Sequence, residues 1–135
     1  MPFGKLLLVF VLVSIVFFAI DMIWLGWLGR NLYQKYMGHL LSPNVNWTAA
    51  FIFYGLFICG ILFFCVFPAV DKGSVLAALG YGAFFGLITY STYDLTNLAT
   101  LKDWPVQIVF IDIPWGAFLC ASVSVAGFYI VNWLQ

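Results

Sequence analysis

Apolar residues neither alternate with polar ones along this chain nor return every third or fourth position. They come in four long runs, at about Leu6–Gly29, Trp47–Val70, Val75–Asn97 and Pro105–Trp133. Each run is long enough to cross a hydrocarbon core of ~30 Å, which takes about 20 residues of helix. A backbone in lipid must satisfy its own hydrogen bonds, and nothing here alternates as a barrel strand does, so each run predicts a transmembrane helix. The fold class is all-α, a polytopic membrane four-helix bundle occupying residues 1–135 as a single domain. Pro114, inside the fourth run, cannot donate to the carbonyl of Phe110, which predicts a kink there.

The connections differ in length. Asp71-Lys72-Gly73-Ser74 is short and forces the second and third spans into an antiparallel pair. The connection Arg30–Asn46 is long and carries a helical pattern. Leu32, Tyr33, Tyr36, Met37, Leu40 and Leu41 fall on one half of a helical wheel, and Asn31, Gln34, Lys35, Gly38 and His39 on the other. Ser42-Pro43-Asn44 ends the pattern. Either an amphipathic helix lies in the membrane interface, or the first span runs on past the membrane. Lys5 followed by Leu6–Ile20 has the layout of a signal peptide, but no small-residue cleavage pattern follows, so the run is read as a retained span. An even number of spans puts both termini on one side, the terminal side. The two connections at Arg30–Asn46 and Leu98–Trp104 lie on the other, the loop side. Three cations on the loop side against two on the terminal side do not fix the orientation.

Composition agrees with lipid as the solvent. Hydrophobic residues make up 65% of the chain and charged residues 7%, against roughly half and a quarter in a soluble domain. Five Asp, no Glu, four Lys and one Arg leave no basic face for nucleic acid. Cys59, Cys65 and Cys120 all lie in apolar runs and read as small packing residues.

The candidate chemistry lies in three aspartates inside the spans. Asp21 falls beyond the middle of the first span, Asp94 near the end of the third, and Asp112 near the start of the fourth. The up-down topology brings all three into the loop-side half. At 1.5 Å per residue, Asp94 and Asp112 lie roughly 12 Å from midplane and Asp21 about 5 Å. Tyr90, Asp94 and Asn97 share one helix face, Trp24 lies beside Asp21, and Trp115 lies beside Asp112. Asp94 and Asp112, near the interface, also fit a reading as simply solvated acids, and tryptophans there as belt residues. A carboxylate as deep as Asp21 costs ~2.5–3.5 kcal/mol and generally faces a bundle interior or a wet cavity. Three acids sharing one pocket need either a proton or a cation to compensate them. Asp21, Asp94 and Asp112 are therefore the candidate acid–base cluster, with Trp24, His39, Tyr90, Tyr93, Asn97 and Trp115 as candidate ligand-binding residues. A single histidine and no cysteine cluster at the membrane edge argue against a zinc site, and no cofactor motif is present. Ala78, Gly82 and Gly86 form a small-residue row for close helix approach, to a neighbouring span or to a second protomer in a homodimer.

The same segments carry a resemblance: D-M-I-W-L-G at Asp21–Gly26, G-H-L-L at Gly38–Leu41, P-N-V-N-W at Pro43–Trp47, Y-D-L-T-N-L-A-T-L-K-D-W-P at Tyr93–Pro105, and D-I-P-W-G at Asp112–Gly116. Together they resemble a bacterial family of small predicted membrane proteins, a domain of unknown function. That resemblance implies a four-helix inner-membrane protein with no established activity, and it adds weight to His39. Three functional readings stay open. The loop-side pocket binds a lipid-like or small amphiphilic molecule and does acid–base chemistry on it. Alternatively the chain is a small proton- or cation-coupled carrier with Asp21 titrating, although a carrier needs access from both sides. Or it is a structural partner of another membrane protein.

Overall fold

The structure, a computed structural model, describes residues 1–135, with Leu28 described by its backbone only. It is all-helical, with no strand among the described residues. Four stretches are long and apolar enough to cross a membrane: Phe3–Trp27, Trp47–Lys72, Val75–Thr100 and Val106–Leu134. The first comprises α1 (Phe3–Ile23) and a π-helical turn, Trp24–Leu28. A short helix α2 (Arg30–Met37) follows it. The second comprises α3 (Trp47–Ile61), another π turn at Leu62–Val66, and α4 (Phe67–Lys72). The third and fourth are α5 (Val75–Thr100) and α6 (Val106–Leu134).

The ends of these helices have local causes. Asn46 caps α3 by accepting from the amide of Ala49 at 3.1 Å, and Ser74 caps α5 by accepting from Ala77 at 3.1 Å. Gly73, at φ 63°, closes α4 in the left-handed conformation, with the Ser74 amide reaching back to the Ala69 carbonyl. Asp103, also left-handed at φ 62°, turns the chain between α5 and α6. α6 runs helical through Pro114, so the proline does not break the run. The wider π turns occur elsewhere. One precedes Pro68, whose missing N–H and ring disturb the carbonyl four residues back, inside that turn.

Each helix buries one stripe of residues spaced four apart, as a helix with one protein-facing side requires. On α1 the stripe is Val9, Val13, Phe17 and Asp21. On α5 it is Ala78, Gly82, Gly86 and then, two turns on, Asp94. On α6, Ile108, Asp112, Gly116, Cys120, Ser124 and Phe128 continue at the same spacing. All three intramembrane aspartates therefore lie on the inward stripe of their helix, and none faces lipid. α5 and α6 pack along their length. A Cβ on Gly82 would meet the Cys120 carbonyl and Ser124 Oγ, and one on Gly86 would meet the Gly116 carbonyl. The small-residue row is covered within one chain, by α6.

The terminal-side half is closed. Val9, Val13, Ile61, Cys65, Val66, Leu119, Cys120, Val123 and Val131 form one buried apolar core there. The second span joins that core through its π turn and α4, which pack on α5 and α6. Its loop-side part, α3, meets α5 only through side chains, with the Phe57 ring against those of Phe85 and Tyr90 at centroid distances of 5.4 and 6.3 Å. Span two therefore leans away from spans three and four as it approaches the loop side.

Candidate functional site

Beside α3 lie two adjoining chambers. The first, of about 460 Å³, is lined by Asp21, Trp24, Arg30, Tyr33, Tyr90, Asp94, Asp112 and Trp115, among others. The second, of about 570 Å³, is lined by Phe53, Phe57, Thr89, Tyr90, Thr92, Tyr93 and Asp112. Phe53, Tyr90, Tyr93 and Asp112 line both. The hydroxyls of Thr89 and Thr92 are turned back onto the carbonyls of Phe85 and Ile88, so the second chamber presents mostly hydrocarbon.

The polar chamber is completed by the bend at Gly29. After the π turn the chain bends at Gly29, which is buried with no room for a Cβ beside the Trp24 and Tyr33 rings. α2 then lies over the loop end of α6. Met37, Trp104, Ile108 and Val109 form a small second core, joined by Tyr33, Tyr36, Leu98 and Ile113. The apolar face of α2 thus packs on protein, and this is why the helix sits where it does. Its one inward phenol, Tyr33, accepts from Trp24 Nε1 at 3.1 Å and donates to Asp112 Oδ1 at 2.6 Å. Burial, and then the nearby Asp112 charge, push the Tyr33 phenol above its ordinary 10.0. The phenol therefore stays a donor throughout the neutral range.

Trp24 and Trp115 stack face to face, centroids 4.6 Å apart and planes 10° from parallel. The Trp115 N–H faces the Asp21 carboxyl without closing to hydrogen-bond geometry, and it stays unpartnered. Asp112 neighbours both other acids. Asp94 is wholly buried, 0% exposed, with no donor on either oxygen. The three acids form a row with Asp112 in the middle. Among the described residues they do not converge as a set of metal ligands.

A family model described as a predicted membrane protein, DUF2177, matches residues 6–129. The chain belongs to that family. The matched span includes every residue that lines either chamber. No curated protein and no solved structure matches the chain.

Of the residues singled out in this DUF2177 sequence, Asp21, Asp94, Asp112, Trp24, Tyr90, Tyr93 and Trp115 line the polar chamber. Two do not. Asn97 is half-buried but outside both chambers, because its three-residue step from Asp94 rotates it off the inward stripe. His39 is exposed in the turn after α2 and lines neither chamber. Tyr33, the residue that ties α2 to Asp112, was hidden by its place on the apolar half of the wheel. A phenol among leucine and methionine there was the available signal. Phe53 and Tyr54 on α3 carried no signal beyond apolarity.

Proposed function

We propose that this DUF2177 protein, in a bacterial inner membrane, binds a lipid-like or small amphiphilic molecule in the loop-side cavity. The polar end sits among Asp21, Asp94, Asp112, Tyr90 and Trp115, and the hydrocarbon part lies in the second chamber. The observation carrying this reading is the shared wall: Phe53, Tyr90, Tyr93 and Asp112 border both chambers, so a polar pocket lies directly against an apolar one. A molecule with one polar end and one apolar end matches that sequence of surfaces. The buried apolar core of the terminal-side half weighs against a path through to the other side, and so against the carrier reading.

The test is native mass spectrometry of purified protein released gently from detergent, alongside lipid analysis of membranes from cells carrying Asp21→Asn. A retained amphiphile that is lost in the variant is the expected result. A protein without any bound amphiphile, and unchanged membrane lipids with Asp21→Asn, would sink the reading.

A further inference from the structure

The polar chamber holds hydrogen-bonding groups that the protein itself leaves unused. Asp21 is buried, 6% exposed, and lines the chamber. Its carboxyl makes no hydrogen bond among the described residues, and its oxygens stay open, whereas those of Asp94 are sealed off. The single N–H of Trp115 faces Asp21 without closing to it, and a carboxylate has room for about four hydrogen bonds. Asp112 commits Oδ1 to Tyr33 and keeps Oδ2 open. Tyr54 and Tyr90 line the same chamber, and their hydroxyls are likewise open and without a hydrogen bond among the described residues. At the rim, Arg30 and Gln34 stand one helical turn apart on α2, both exposed and both lining the chamber.

We infer that the polar chamber receives a neutral polyhydroxyl headgroup, and that the occupant is a glycosyl lipid. The inference rests on the cavity binding an amphiphile, as proposed above, and adds the headgroup. The wall mixes two kinds of open group. Asp21 and Asp112, as carboxylates, only accept and Arg30 only donates, while Tyr54, Tyr90 and Gln34 do both. An ammonium would meet the acceptors and leave the donors unused. A phosphate would do the reverse, beside three carboxyls of its own sign. A hydroxyl donates and accepts at one atom, so several of them on one ring use both kinds of group. Size points the same way. The chamber, at about 460 Å³, far exceeds one hydroxyl, which takes no more than a water molecule's share of about 30 Å³. A sugar ring fills such a space and brings no further charge to membrane depth, where an uncompensated charge is costly. The lipid chains then continue past Phe53 and Tyr93, which line the apolar chamber and are each more than half exposed.

The experiment is a competition read by native mass spectrometry on the full chain, held in a polyoxyethylene detergent that has no sugar headgroup. Four lipids with identical acyl chains are added in equal amounts: monoglucosyldiacylglycerol, diacylglycerol, phosphatidylethanolamine and phosphatidylglycerol. The expected result is a glucosyl lipid adduct favoured by about tenfold over each of the others, the size of one charge-assisted hydrogen bond. Tyr90→Phe keeps the ring and removes no bond within the protein, and it should lower that preference about fivefold, the size of one ordinary hydrogen bond. A preference unchanged in Tyr90→Phe would overturn the placement of the sugar in this chamber. Binding of all four lipids alike, or a preference for either phospholipid, overturns the polyhydroxyl assignment and leaves the amphiphile reading standing. Binding of none sinks both. Free glucose that competes as well as the whole lipid overturns the lipid as the source of the sugar.

Discussion

The Tyr33 hydroxyl donates to Asp112 Oδ1 at 2.6 Å across 79 positions of sequence, joining the loop helix to the fourth span. The same oxygen accepts from Trp24 at 3.1 Å, so one atom holds three elements in register. Tyr33→Phe keeps the ring in its packing and removes both bonds. The cost expected is about 1.5–3 kcal/mol, the range for a hydrogen bond to a charged group. Tyr36→Phe is the matched control, since its hydroxyl makes no hydrogen bond among the described residues, and a change within about 0.5 kcal/mol is expected. Equilibrium unfolding of both variants in mixed detergent measures the difference. Equal stabilities would mean that the bond contributes nothing to holding α2.

The same phenol gives the protein a predictable response to alkali. Its folded pKa is raised above the ordinary 10.0 by burial and by Asp112, so folding favours the protonated phenol. The stability it contributes is present in full below the unfolded value and is lost as pH rises beyond it. The stability gap between wild type and Tyr33→Phe should therefore be flat from about pH 7 to 9 and shrink from about pH 10 upward. Melting temperatures of the pair across that range check the sign. A gap that widens with alkali would mean that the bond has been assigned to the wrong protonation state.

Close approach of α5 and α6 rests on glycine, and its cost can be measured against an open position on the same helix. A Cβ at Gly86 would run into the Gly116 carbonyl and Ala117, which are backbone atoms that cannot swing aside. Gly80, on the same helix, has nothing within 4 Å of the corresponding position. Gly86→Ala should destabilise by about 1–3 kcal/mol through overpacking. Gly80→Ala should be neutral or stabilise by up to about 1 kcal/mol, because alanine loses less backbone freedom on folding. Similar effects at both positions would show that α5 and α6 are not held at backbone contact. Because Tyr90 and Asp94 follow Gly86 on the same stripe, a forced separation also widens the polar chamber.

How much of this was legible in the sequence depends on which physical term controls each feature. Span number and order follow from hydrophobic length, which a sequence displays directly, and the gathering of Asp21, Asp94 and Asp112 follows from topology. The inward direction of the acids was also written there, in spacing. Ala78, Gly82 and Gly86 continue through Tyr90 to Asp94 in steps of four, yet the small-residue row and the polar face read as separate features. Asn97 was grouped with Asp94 at a step of three, and the structure separates them because the packed stripe advances by four. Tyr33 was not legible as a cavity residue, since its role arises from a bend set by a π turn and Gly29. The lean of α3 was hidden as well. It results from which half of span two finds partners, and an all-apolar helix does not display that in its own residues.

The placement of the cavity in one half of the bilayer makes sidedness the next quantity to measure. Four crossings require that both termini and the Asp71–Ser74 turn share one side, with the segments around Asn44 and Asp103 on the other. Cys65 and Cys120 are buried, so after Cys59, which is exposed, is replaced by serine the chain offers little background for thiol labelling. Asn44→Cys and Asp71→Cys, each introduced singly, lie in exposed positions at opposite ends of the bundle. An impermeant maleimide applied to intact spheroplasts should label one of them at once and the other only after lysis. The residue labelled first faces the outside of the cell. Labelling at Asn44 would open the polar chamber toward the outer surface, and labelling at Asp71 would open it toward the cytoplasm. Simultaneous labelling of both before lysis would contradict the four-span topology, and with it the depth argument that places the three aspartates in one half of the membrane.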